Sequence, residues 1–69
     1  MSVIKDRRIK MEKDREWLAD KLVVSVRTID RWEKFDAEPR NFIQLFKLAE
    51  VLKLSVSTII KDYAKHYNK

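Results

Sequence analysis

Arg27, Arg31 and Lys34 follow one another at intervals of four and three residues. On a helix that spacing sets three cations along one side. The chemistry open to such a row is recognition of a polyanion. A guanidinium can donate two hydrogen bonds to O6 and N7 of guanine, a pairing that gives about 1–3 kcal/mol of discrimination. An ammonium group neutralises phosphate and makes binding depend on salt. Nothing else in the chain gathers reactive groups. There is no cysteine, and His66 is the single histidine, so a thiolate zinc site has no ligands. Ser25 and Ser55 read as helix caps, because no histidine–acid pair accompanies them. No glycine is present, which removes glycine-rich phosphate loops. The expectation is a binding protein and not an enzyme, with no metal and no cofactor.

The element that must carry the cations lies in Trp17–Lys34, WLADKLVVSVRTIDRWEK. It reads as two short helices joined by a tight turn at Val23 and Val24. At about 100° per residue, with Ile29 as origin, Trp32 and Glu33 fall within about 60° on the buried side. Lys34, Arg27 and Arg31 fall near 140°, 160° and 200°, opposite that side. A major groove about 12 Å wide accepts such a helix. Asp30 can accept from cytosine N4. Its spacing from Arg27 and Lys34 also suits it to restrain those cations. Val26, near the helix start, is placed to touch a thymine methyl. Arg15 sits in the first turn of the preceding helix, where free amides and the positive dipole end attract phosphate. Lys13 and Lys21 can add backbone contacts of the same kind.

Composition bounds the scaffold. Sixty-nine residues make one small domain, residues 1–69, able to bury only about 60% of its unfolded surface. Without disulfides, stability rests on helix packing and on any self-association. The net charge is +5 and the pI about 9.7, which favours polyanionic partners. No apolar run approaches the roughly 20 residues of a membrane span, and MSVIKDRRIKMEK lacks a signal-peptide core. The expected location is therefore the cytoplasm, with no membrane partner. Absent glycine and a single proline argue against a hairpin-rich β protein.

Periodicity and caps predict an all-α fold of five helices. Ser2 caps a first helix over 3–12, with Ile4, Arg8 and Met11 on one face. Asp14 caps the second, which turns Leu18, Ala19 and Leu22 inward. Ser25 caps the third, over 26–34. A polar loop with Pro39 follows. Asn41 and Gln44 resemble a capping box before a helix over 42–52 whose stripe is Leu45, Leu48, Ala49 and Leu52. Ser55 caps the last, over 56–66, with Val56, Ile59, Ile60, Tyr63 and Tyr67 apolar. The tail frays over 67–69, and His66 is read as a solvated tail residue.

Asp14–Glu33 resembles the helix-turn-helix of the Cro and repressor family of phage and bacterial DNA-binding proteins. The matching residues are Leu18-Ala19, Leu22, Val24-Ser25, Thr28-Ile29 and Trp32-Glu33, followed by Pro39 and LFKLAEVLKLSVSTI over 45–59. The likeness spans about residues 4–60. It implies a compact Cro/lambda-repressor-like domain with the helix-turn-helix at 15–34. By that match Val26, Arg27 and Arg31 read bases. Arg15, Lys21, Ser25, Thr28 and Lys34 then position the protein on phosphates or base edges. It also implies a partly buried ion pair between Arg8 and Glu33 that sets the angle between helices 1 and 3. The chain departs from the family where glycine is preferred: Val23 in the turn, Phe35 after the third helix, Lys53 in the later turn. Either the turn at Val23 takes another geometry, or left-handed strain of about 1–3 kcal/mol is tolerated there. The loop Asp36-Ala37-Glu38 is acidic, which suits phosphate poorly.

The expected function is sequence-specific binding of double-stranded operator DNA by a transcriptional regulator, as a homodimer on half-sites about one helical turn apart. The alternative is an antirepressor that binds a partner repressor protein. Trp17, Phe35, Ile60 and Tyr67 are candidate protein contacts, with Phe42 flanking the same loop as Phe35. Ile60 and Tyr67 suit a dimer contact, and any dimer must use the fourth–fifth helix region or form on the DNA. Trp17 suits either the edge of the core or an exposed anchor.

Overall fold

Each helix begins where a side-chain oxygen meets the first free amides. In this computed structural model, which describes residues 2–67, Ser2 Oγ accepts from the Lys5 amide at 3.1 Å. Asp14 Oδ1 accepts from Trp17 at 2.8 Å and Ser25 Oγ from Thr28 at 3.1 Å. Asn41 Oδ1 accepts from Gln44 at 2.9 Å, and Ser55 Oγ from Thr58 at 3.1 Å. Each cap is worth about 1 kcal/mol. The helices are α1 (Val3–Lys10), α2 (Arg15–Leu22), α3 (Val26–Glu33), α4 (Phe42–Leu52) and α5 (Val56–Tyr67), with no strand among the described residues. Gln44 returns its Oε1 to the amide of Arg40 at 2.8 Å, one residue short of a reciprocal capping box.

The first four helices end in a left-handed residue, and none of those residues is glycine: Glu12, Val23, Phe35 and Lys53 have φ of 60°, 54°, 62° and 57°. At each corner the next amide reaches back five residues. Lys13 donates to Arg8 O at 3.1 Å, Val24 to Ala19 O at 3.0 Å, Asp36 to Arg31 O and Leu54 to Ala49 O at 2.9 Å. These are Schellman closures, which satisfy carbonyls the helix leaves open. The strained option for Val23 is the one adopted. The corner at Glu12 shortens α1 to Lys10, two residues before the expected end.

The core joins Ile4 of α1, Leu18, Ala19 and Leu22 of α2, and Ile29 and Trp32 of α3. It continues through Leu48, Ala49 and Leu52 of α4 to Ile59 and Tyr63 of α5. Long ties close the bundle. The Val3 amide donates to Asp62 Oδ2 at 3.0 Å. Arg7 Nε donates at 2.9 Å to Leu52 O, a carbonyl at the negative end of α4. The globule measures 31 × 23 × 21 Å. No helix of the described residues is long and apolar enough to cross a membrane.

Three expectations change. Helix α5 runs on through Tyr67, the first residue of the expected frayed tail, while Ile60 and Tyr67 stay 47% and 53% exposed, as expected of candidate protein contacts. Leu45, Val56 and Met11 are only half-buried. His66 is no solvated tail residue. Its ring stacks on Phe35 at 4.2 Å between centroids, since α5 runs one turn alongside the corner after α3. Residues 68 and 69 of the expected frayed tail lie outside the described residues.

Candidate nucleic-acid interface

Ile29 and Trp32, 0% and 2% exposed, pin α3 to the core, and this decides what the helix offers to solvent. A helix fixed along one stripe must present the opposite stripe. Arg27 and Arg31 are exposed there, and Val26 is 42% exposed at the first turn. Neither arginine takes part in an ion pair among the described residues.

The C-terminal end of α3 is held by Glu33, whose side chain is 1% exposed. Its Oε2 accepts from Arg8 Nε at 2.7 Å. Oε1 accepts from a terminal nitrogen of Arg8 at 3.2 Å and from Arg15 Nε at 3.0 Å. Arg8 spends its remaining terminal nitrogen on Lys13 O at 2.8 Å. The forked geometry gives a buried carboxylate the charge-assisted bonds it needs. Helices α1, α2 and α3 thus meet on one side chain. The pairing of Arg8 with Glu33 implied by the resemblance is present, and Arg15 joins it.

That third member changes the expectation for Arg15. Its Nε faces Glu33 and lies 3.7 Å from Asp30, so it is not a phosphate-seeking cation standing alone. One buried carboxylate beside α2 draws the nearest guanidinium inward. Lys34 is likewise tied to Asp30 at 3.2 Å, with its own side chain 62% exposed. Asp30 therefore restrains Lys34 and Arg15, not Arg27. Lys21 and Lys13 flank the Trp17 ring, with Nζ 5.9 and 5.3 Å from its centroid, a cation–π arrangement.

Ser25 and Thr28 hydrogen-bond each other through their hydroxyls at 2.9 Å. With Arg31 they line a cleft of about 480 Å³ between α3 and the segment that leads into α4. The opposite wall carries Glu38, Arg40 and Gln44. Arg40 was not among the expected contacts, because it lies in a loop where no periodicity applies. The signal that finds it is its place one residue before the Asn41 cap, at a helix start that favours anions. Glu38 in the same cleft is the acidic loop residue that opposes this charge.

Among the expected protein contacts, Trp17 and Phe35 are half-buried and used within the fold. Trp17 packs against the core. Phe35 meets Tyr63 edge-on at 5.3 Å as well as His66. Neither is a free anchor, whereas Ile60 and Tyr67 remain open. Besides Tyr67, Phe42 and Phe46 are exposed aromatics, at 84% and 58%, with Ile43 at 69% between them. The α4 pattern leaves them outside its inward stripe of Leu48, Ala49 and Leu52.

Comparison with protein-family models, with curated proteins and with solved structures finds no match to this chain.

Proposed function

We propose that the chain is a sequence-specific DNA-binding transcriptional regulator of the Cro/repressor kind, with α2 and α3 as its helix-turn-helix and α3 in the major groove. The observation that carries this reading is the outer face of α3. Arg27 and Arg31 stand exposed and without an ion pair among the described residues, on the side of the helix opposite the buried Ile29. Val26 completes the base-reading set. Ser25, Thr28, Lys34 and Arg40 are the positioning groups, and Lys21 adds charge beside them. Arg15 acts mainly by holding Glu33.

The test is selection from random duplexes followed by anisotropy titration at low and moderate salt. A preferred site is expected, with Arg27→Ala and Arg31→Ala each losing about 1–3 kcal/mol and relaxing one base position. Equal affinity for all duplexes, unaffected by either change, would sink the proposal.

A second reading is a modulator of repression that binds a partner repressor protein. The exposure of Phe42, Ile43 and Phe46 favours a protein contact. That reading requires no duplex binding even at low salt, together with saturable binding to a purified repressor.

A further inference from the structure

The cleft between α3 and the segment entering α4 is rich in hydrogen-bond donors. Its volume of about 480 Å³ lies within the range of small-ligand sites. Arg31 stands on one wall and Arg40 on the other. Both are exposed, and neither takes part in an ion pair among the described residues. Ser25 and Thr28 share one hydroxyl proton across their 2.9 Å contact, which leaves the second proton free to donate. Gln44 spends its Oε1 on the Arg40 amide at 2.8 Å, so its side-chain amino group faces a guest as a donor. The first turns of α3 and α4 both border the cleft, and their positive dipole ends add to the field. Trp32, 2% exposed, closes the floor.

One group departs from this pattern. Glu38 is the one carboxylate among the described lining residues. The backbone of duplex DNA has nothing to offer it, because phosphodiesters and the deoxyriboses within a strand carry no hydrogen-bond donor. Each backbone phosphate also brings a single negative charge. A phosphate monoester brings about −1.5 to −2 at neutral pH, which two guanidiniums match, each able to form a forked pair with its oxygens. A sugar attached to that phosphate supplies the hydroxyl donors that Glu38 lacks.

We propose that this cleft binds a small hydroxylated phosphate monoester, a sugar phosphate or a nucleoside monophosphate. Arg31 and Arg40 clamp the phosphate from opposite walls. The free hydroxyl of the Ser25–Thr28 pair and the Gln44 amino group donate to its remaining oxygens, and Glu38 accepts from a sugar hydroxyl. Duplex DNA would claim Arg31, Arg40, Ser25 and Thr28 as well, so the bound monoester excludes it and acts as an inducer that releases DNA. That exclusion rests on the DNA-binding reading. The ligand site itself does not.

Isothermal titration calorimetry of the full chain against ribose 5-phosphate and adenosine 5′-monophosphate tests the site, with inorganic phosphate and ribose as the two halves of the ligand. Ribose 5-phosphate is expected to bind with a dissociation constant on the order of 1 mM or below. A tighter fit of the nucleotide assigns the site to nucleoside monophosphates, and an equal or weaker one to sugar phosphates. Inorganic phosphate should bind at least tenfold more weakly, and ribose not at all. Arg31→Ala and Arg40→Ala should each weaken the monoester at least tenfold with an unchanged helical circular-dichroism spectrum. Glu38→Gln should erase the advantage of ribose 5-phosphate over inorganic phosphate. Lys61→Ala, which removes an exposed cation of α5 outside the cleft, should alter neither affinity. At constant ionic strength, saturating ribose 5-phosphate should weaken duplex binding at least tenfold by anisotropy.

No binding of either monoester at about 10 mM overturns the inference and leaves the DNA-binding reading intact. So does an affinity no greater than that for inorganic phosphate, or one that Lys61→Ala lowers as far as Arg40→Ala does. A Glu38→Gln variant that gains affinity for both ligands alike makes Glu38 a repelling charge only and overturns its role. A bound monoester that leaves duplex affinity unchanged overturns the exclusion of DNA. A chain that binds the monoester and no duplex keeps the ligand site and removes the DNA-binding reading alone.

Discussion

Arg8 Nε and Glu33 Oε2 lie 2.7 Å apart with both side chains at or below 8% exposure, joining the first helix to the last turn of the third. The pair is worth less than its contact suggests, because both charges have left water. Removing one partner is different, since the other stays buried and uncompensated. Glu33→Ala is expected to cost about 3–5 kcal/mol. A domain of this size holds on the order of 3–10 kcal/mol in total, so the variant should be largely unfolded in mild urea. Arg15→Ala, at a side chain 36% exposed, should cost under about 1 kcal/mol. Urea titration followed by circular dichroism separates the two. Equal losses would mean that Glu33 is not the shared anchor.

Val23 is 90% exposed and sits at φ 54°. Its side chain contributes little packing, yet its β-branch is strained there. Val23→Gly should stabilise the fold by about 0.5–1 kcal/mol, after the extra freedom glycine gives the unfolded chain is subtracted. Phe35→Gly, at φ 62°, should destabilise, because the stack on His66 and the edge contact with Tyr63 are lost. Thermal midpoints moving in the same direction for both would refute this division.

Tyr63 donates its hydroxyl between Trp32 O at 3.1 Å and Ala37 O at 3.2 Å. Burial pushes its ionisation above the ordinary value of 10, with the negative charges of Tyr67, Glu38 and Asp62 adding to the effect. The folded state therefore keeps a proton that the unfolded chain releases. Its stabilising contribution is complete below pH 10 and is lost as pH rises above it, by at most about 1.4 kcal/mol per pH unit. Tyr63→Phe should flatten that slope while lowering stability at neutral pH by roughly 0.5–1.5 kcal/mol. Urea midpoints between pH 8 and 11 decide. An unchanged alkaline slope in the variant would assign the effect to another group.

Arg40 faces the cleft beside α3 from the α4 side. If duplex DNA seats there, Arg40→Ala should weaken binding about equally for all sequences and lower the salt slope by about one. Arg31→Ala, by contrast, should change which sequence is preferred. Titration of two unrelated duplexes at several salt concentrations reveals a wrong assignment if Arg40→Ala alters their ratio.

Local chemistry made much of this fold legible. The caps at Ser2, Asp14, Ser25, Asn41 and Ser55 pair a side-chain oxygen with an amide three residues on, so sequence alone locates the helix starts. The inward turn of Ile29 and Trp32 followed from helical rotation. The left-handed corner at Glu12 did not show, because a charged residue there carries no turn signal. The Phe35–His66 stack, the inward bend of Arg15 and the cleft at Arg40 join residues far apart in the chain, and no pattern within one helix encodes them. The apolar stripe of Phe42 and Phe46 was written in the α4 wheel, on the side that its inward residues left free.

The two indoles occupy opposite situations: Trp32 is sealed at 2% exposure, while Trp17 is half-buried beneath two ammonium groups. Their emission should differ in colour and in response to quencher. Iodide drawn to the lysines will darken the outer ring and spare the inner one. The protein thus carries a built-in pair of lamps, one reporting whether the bundle is intact and the other whether its cationic flank is occupied.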